Sequence, residues 1–215
     1  MLIAYVVDVH DRFDAVPRAL AAIGDVDVLL IGGDITTFGR PEDAEHAVES
    51  WRPLAPKVLA VAGNMDSRAI DERLVDLGVS LDGRGVVLDD VGFAGVSAAP
   101  LSPLHTPYEL SDQEITRRAE SALGAVRGAR VRIFCPHAPP HDTECDRLRS
   151  GEHVGSIVLR RLVEREQPDV VLCGHIHESR GTDLVGESRV VNPGPVSAGH
   201  YALVQVADEV GVRLD

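Results

Sequence analysis

Positive charge and aromatic rings are what this 215-residue sequence has least of. Lys and Arg total 21 against 34 Asp and Glu, a formal net charge of −13, and aromatic residues make up 4%. Lys57 is the only lysine. That balance excludes electrostatic grip on a long phosphate backbone, so no extended nucleic-acid binding is expected. No apolar run approaches the ~18 residues that a membrane span needs. The chain also moves from Met1 straight into Leu2-Ile3-Ala4-Tyr5-Val6-Val7 without a basic leader or small-residue cleavage site, which points to a cytoplasmic protein with no membrane partner. Cysteine is scarce too. Cys135, Cys145 and Cys173 cannot all pair and form no CxxC, so reduced core thiols are expected.

What remains is an alternation of short apolar runs and helical patterns. Leu2–Val7, Val26–Ile31, Val58–Val61, Val131–Phe134 and Val170–Leu172 read as buried strands. Asp14–Ile23, Pro41–Trp51, Ser67–Leu77, Ser111–Val126 and Val154–Glu166 carry apolar residues at helical spacing, with Pro41 suited to a first turn and Ser111 to Glu114 reading as a capping box. Such alternation implies a largely parallel, helix-covered sheet. Val86 to Ala98 instead reads as two antiparallel strands around Asp89-Asp90, and Arg189–Val191, Tyr201–Val206 and Val210–Leu214 read as further short strands. The mixture suggests two packed sheets with helices outside. No repeat or linker divides the chain, so residues 1–215 are expected to form a single domain. Two proline-bearing irregular stretches, Ala99–Tyr108 and Pro136–Gly151, have a length often reserved for function.

Chemistry collects at the strand ends. Asp8 and His10 follow the first buried strand, Asp34 the second, Asn64 the third, His137 the fourth, and His175 with His177 the last. Ligands belong at the carboxyl ends of parallel strands, and this pattern converges two carboxylates, one amide and four imidazoles on one edge of one sheet. That is too many donors for a single ion and about right for two. Alternate residues of Asp8-Val9-His10 and His175-Ile176-His177 share a side of an extended segment. Glycines at 32, 33, 63 and 174 let the backbone leave the sheet sharply.

Taken in order, Asp8-Val9-His10, Gly33-Asp34, Gly63-Asn64-Met65-Asp66, His137 and Gly174-His175-Ile176-His177 resemble the five motifs of the calcineurin-like metallophosphoesterase superfamily. Asn192-Pro193-Gly194 resembles a later motif of its small prokaryotic phosphodiesterase members. The resemblance implies an α/β fold, a four-layer α-β-β-α sandwich of two mixed sheets flanked by helices. It also implies a dinuclear centre in which Asp8, His10, Asp34 and His177 hold one ion and Asp34, Asn64, His137 and His175 the other. The donors suit Mn²⁺, Fe, Zn, Ni or Co, with Mn²⁺ expected from the family. The implied activity is hydrolysis of a small or exposed phosphodiester by a metal-bridging hydroxide; the alternative is a catalytically weak interaction scaffold on the same fold, and a homo-oligomer is compatible with either.

One departure bears on catalysis. Met65 stands where the family motif has a histidine that protonates the leaving group or braces the phosphate, and a thioether does neither. Asp66 matches the acid that would orient that histidine, and capping of the helix beginning near Ser67 is its expected role. A substitute acid has to come from another histidine. His141 and His153 are the candidates, His153 also as a substrate contact, alongside Asp34 and Asn64 as catalytic residues and Asn64 as a substrate contact. His46 and His105 are expected at the surface or in the proline-rich excursion, and His200 at a strand edge. Arg12, Arg68 and Arg180 lie near the motifs and are expected to be solvated or ion-paired.

Overall fold

Runs that are apolar at every position need two buried faces, and the computed structural model, which describes residues 1–215, provides them. In chain order the elements are β1 (Leu2–Val6), α1 (Ala15–Ile23), β2 (Val28–Ile31), α2 (Pro41–Trp51), β3 (Lys57–Ala60), α3 (Arg68–Asp76), β4 (Gly85–Leu88) and β5 (Val91–Val96). There follow β6 (Ala99–Pro100), β7 (Glu109–Leu110), α4 (Asp112–Ala125), β8 (Val131–Pro136), α5 (Ile157–Glu166) and β9 (Val170–Leu172). The chain ends with β10 (Gly181–Val185), β11 (Ser188–Asn192), β12 (Ala202–Val206) and β13 (Val210–Leu214). No helix is long and apolar enough to cross a membrane.

One sheet has the order β13-β12-β1-β2-β3 and the other β10-β11-β9-β8-β5-β4. Both are mixed. β1, β2 and β3 run parallel while β12 and β13 are antiparallel additions; β5, β8, β9 and β11 are parallel, with β4 and β10 antiparallel at the edges. Residue alternation along β1 shows how the layers form. Ile3, Tyr5 and Val7 join Leu30, Leu59, Phe93, Ile133 and Leu172 in a core between the sheets. Ala4 and Val6 face the other way, into a core shared with Val16, Ala47, Trp51, Ile70 and Leu74 from α1, α2 and α3. α4 and α5 cover the second sheet, through contacts with β5 and β10 respectively. The result is the expected α-β-β-α sandwich.

Helix starts match their sequence signals. Ser111 Oγ accepts from the Glu114 amide while Glu114 Oε2 accepts from the Ser111 amide, and Pro41 occupies the first turn of α2. Two expectations need correction. The helical pattern from Val154 begins only at Ile157, because Ser156 is its N-cap and accepts from the Leu159 amide at 3.2 Å. The donor-bearing strands also do not share one sheet: β1, β2 and β3 belong to the first, β8 and β9 to the second. The two sheets instead bring their carboxyl ends together, and His137 Nδ1 bridges them by donating to the Gly32 carbonyl at 2.8 Å.

Candidate metal centre

At the ends of β1, β2 and β3 the backbone turns abruptly. Asp8, His10, Asp34 and, after β9, His175 all adopt left-handed conformations, with φ of 55°, 49°, 48° and 67°. Such conformations are uncommon for residues with a side chain and each carries a cost of about 1–3 kcal/mol. The surrounding bonds hold them there: the Asp8 and His10 amides donate to Gly33 and Asp34 carbonyls at 3.1 and 2.9 Å. Gly63 permits the closest approach, since a β-carbon there would lie 2.0 Å from Asp34 Oδ1 and 2.3 Å from its amide nitrogen.

The seven sequence-predicted donors form a closed ring. His177 Nε2 lies 3.6 Å from Asp8 Oδ2 and 3.1 Å from His10 Nε2. Asp34 Oδ2 sits 3.6 Å from His10 Nε2 and 3.5 Å from His137 Nε2. Asn64 Oδ1 is 3.0 Å from His137 Nε2 and 2.7 Å from His175 Nδ1, and the His175 amide closes the ring on Asp8 Oδ2 at 3.2 Å. Asp8, His10 and His177 form one group of mutually close donor atoms, and Asp8, Asp34 and His137 a second.

The donor chemistry fits a cation. Gly32 carbonyl only accepts, so His137 keeps a proton on Nδ1, and in the neutral ring the lone pair of Nε2 faces Asn64 Oδ1 and Asp34 Oδ2, which are themselves acceptors. His10 Nδ1 likewise has the Thr37 hydroxyl at 2.9 Å, leaving Nε2 for the ring. With the ring neutral, lone pair faces lone pair, an arrangement that needs a positive charge among them, supplied either by a proton on His137 or by a metal ion. Titration behaviour reflects the same crowding. Burial pushes Asp8 up to about 7, with His137 opposing and Asp34 reinforcing the rise. Burial also opposes charge on His137, but Asp34 and then Asp8 outweigh it and push His137 up to about 9. His175, buried and beside His137, falls to about 3.

Neighbouring residues divide into those the sequence anticipated and those it did not. Met65 is half-buried and contributes its amide, which donates to Asp34 Oδ1 at 2.8 Å. Asp66 is not the helix cap. Ser67 caps α3 by accepting from the Ile70 amide, whereas Asp66 is fully buried and accepts from the Ile35, Thr36 and Gly63 amides and the Thr36 hydroxyl. It pins the turn after β3 to the turn after β2. His153 and His175 line one cavity, and the His141 ring lies 6.0 Å from that of His153 but outside the cavity lining. His153 Nδ1 donates to Asp146 Oδ1 at 2.7 Å. Asp146 is a residue the sequence reading missed: it is fully buried, lies in an irregular loop with no periodicity, and became visible only through its contacts with the Thr143 and Gly155 amides. His46 and His105 are exposed, and His200 precedes β12. Arg12 and Arg180 are exposed as well, while Arg68 lies over the Tyr108 ring at 5.8 Å.

A model of the calcineurin-like phosphoesterase superfamily domain matches residues 1–209. The chain belongs to that superfamily. Its reaction class is accordingly metal-dependent hydrolysis of phosphate esters. The protein MJ1162 of Methanocaldococcus jannaschii is 32% identical over 204 residues, 92% of this chain and 89% of its own length. TT1561 of Thermus thermophilus shares the fold at a TM-score of 0.76 and 17% identity, over 99% of this chain and 97% of that one. A dimetal phosphatase from Danio rerio does so at 0.61 and 14% identity, over 100% and 95%.

Proposed function

We propose that this calcineurin-like protein is a phosphodiesterase with a dinuclear Mn²⁺ centre. Asp8, His10, Asp34 and His177 would hold one ion and Asp34, Asn64, His137 and His175 the other. The observation that carries the reading is the position of Asp34 Oδ2, 3.5–3.6 Å from an imidazole nitrogen on either side, as a shared carboxylate requires. When bound, the ions supply Lewis acidity toward a phosphoryl oxygen and toward water.

The remaining work falls to side chains. Asn64 turns its carbonyl oxygen toward His137 and His175, where it would join the donors of the second ion, which leaves its NH₂ to bind a phosphoryl oxygen. His153 serves as the acid that Met65 cannot be. Its hydrogen bond to Asp146 raises its pKa and favours the protonated ring, and with Nδ1 donating to Asp146 it presents Nε2–H for transfer to the departing alkoxide. His141, outside the cavity lining, has no comparable partner acid and is the lesser candidate.

The test is hydrolysis of an activated aryl phosphodiester and the matching monoester by metal-stripped protein, with and without Mn²⁺, beside Asp34→Asn. Mn²⁺-dependent diester cleavage that Asp34→Asn abolishes is expected. No hydrolysis of either ester by protein with Mn²⁺ demonstrably bound would overturn the reading in favour of an interaction scaffold.

A further inference from the structure

Exposed large apolar side chains are few in this molecule, and they are not scattered evenly. Of eight, three (Leu101, Leu104 and Val154) line the same cavity, with Leu101 68% and Leu104 79% exposed. The cavity measures about 520 Å³ and lies between the loop that joins β6 to β7 and the loop around residues 148–154. His175 forms part of its wall, so it opens directly beside the donor ring, and Pro103 and Ile176 extend its apolar surface. Burying such side chains recovers about 25 cal/mol per Å², and leaving them in water around a concave site is a signature of ligand contact.

The upper loop is built to hold its leucines still. Glu109 accepts from the amide and hydroxyl of Ser102 and from the amide and hydroxyl of Thr106, at 2.7–3.1 Å. The Ala99 and Leu101 amides donate to the Tyr108 and Leu110 carbonyls. Leu101 and Leu104 are therefore displayed on a braced loop.

No lysine or arginine lines the cavity, whereas two carboxylates, Glu109 and Glu152, do. Burial works against the charge of Glu109, but its hydrogen bonds from Ser102 and Thr106 outweigh that and hold its pKa at about 2. The adjoining arginines are engaged elsewhere: Arg147 with Glu144 and Arg149 with Glu178. His153, which lines the cavity, is itself held by Asp146.

We propose that this cavity is the subsite for the alcohol half of the phosphoester, and that it takes an uncharged apolar alcohol while turning away one that bears a further negative charge. The assignment rests on the phosphodiesterase reading above. An aryl or alkyl group would lie against Leu101, Leu104 and Val154 with its ester oxygen toward His153 and the donor ring. A second phosphate or a carboxylate on that group would meet Glu109 and Glu152 with no lysine or arginine in the lining to offset them, the one cationic group, His153, being already paired with Asp146.

The experiment compares two substrates on Mn²⁺-loaded protein: methyl 4-nitrophenyl phosphate and its analogue with a carboxylate on the ring. The ester with the uncharged ring is expected to have a kcat/KM at least about tenfold higher, and Leu104→Arg to narrow that ratio several-fold. Equal kcat/KM for the two, or a ratio indifferent to Leu104→Arg, would overturn the proposal. Should neither ester be cleaved, the phosphodiesterase reading fails, and the cavity is judged by calorimetry with phenylphosphonate, 4-carboxyphenylphosphonate and methylphosphonate. Tighter binding of phenylphosphonate than of the other two, lost in Leu104→Asp, supports the subsite; equal binding, or none, overturns it.

Discussion

Met65 marks the point where one side chain separates this site from its family pattern. Its amide still orients Asp34, so the substitution leaves the ring of donors intact and removes only an acid. Met65→His should therefore raise turnover of alkyl diesters, whose alkoxides depart poorly, by about tenfold or more while changing aryl diesters little; comparing kcat for the two ester types checks this, and equal effects would refute it. His153 gives the complementary prediction. Its pKa is raised by the hydrogen bond to Asp146, and the protonated ring is the working form, so activity on poor leaving groups should fall as pH rises through that value. Asp146→Asn should shift this alkaline limb to lower pH without altering metal content, as a pH–rate profile beside metal analysis would show; a profile that stays put would make Asp146 merely structural. The convergence of the seven side chains was legible because Asp, Asn and His after apolar runs have few other reasons to recur in order. Asp146 was not, because nothing in its neighbours' polarity distinguishes an acid that holds a histidine from one that faces water.

Elements were read most accurately where two independent signals agreed. α2 begins at its proline and ends at its tryptophan, as the helical spacing implies, whereas Val154–Ser156 continued the apolar period without being helical because Ser156 caps the helix one turn later. β10 was not anticipated at all: Gly181–Val185 mixes polar and apolar residues, as suits an edge strand with one wet face. The partition of the parallel strands between two sheets was equally hidden, since buried strands look alike whichever sheet they join. It matters at the turns. Gly63 and Asp66 together set the turn after β3 against Asp34, one by lacking a β-carbon and the other by accepting four hydrogen bonds. Gly63→Ala should displace Asp34 and weaken Mn²⁺ binding at least about tenfold by calorimetry. Asp66→Asn sets an NH₂ against groups that donate and should cost about 2–3 kcal/mol in denaturant unfolding; wild-type stability in that variant would sink the stapling role.

For the molecule as a whole, the donor ring is a place where like groups are crowded across the seam of two sheets, and its protonation is tied to stability. His137 has a folded pKa of about 9 against an ordinary 6.5. A raised histidine contributes stability that is complete below 6.5 and lost as pH climbs through 9. The lowered His10, His175 and His177 act in the opposite sense only below 6.5, and the raised Asp8 has spent its contribution by about 7. Metal-stripped protein should thus melt at progressively lower temperature from pH 6.5 to 9, while Mn²⁺, which competes with the proton, should reverse the trend; melting curves with and without chelator decide it. The ring also has a history in time. Asp8, His10, Asp34 and Asn64 leave the ribosome first, and the nearest of their partners, His137, lies 73 residues further along. At about 5–20 residues per second, the early half of the ring waits for several seconds without the imidazoles that complete it. The full set of seven donors therefore exists only once β8 and β9 have carried His137, His175 and His177 to the ends of β1, β2 and β3, so the site is a product of the finished fold and not of the nascent chain.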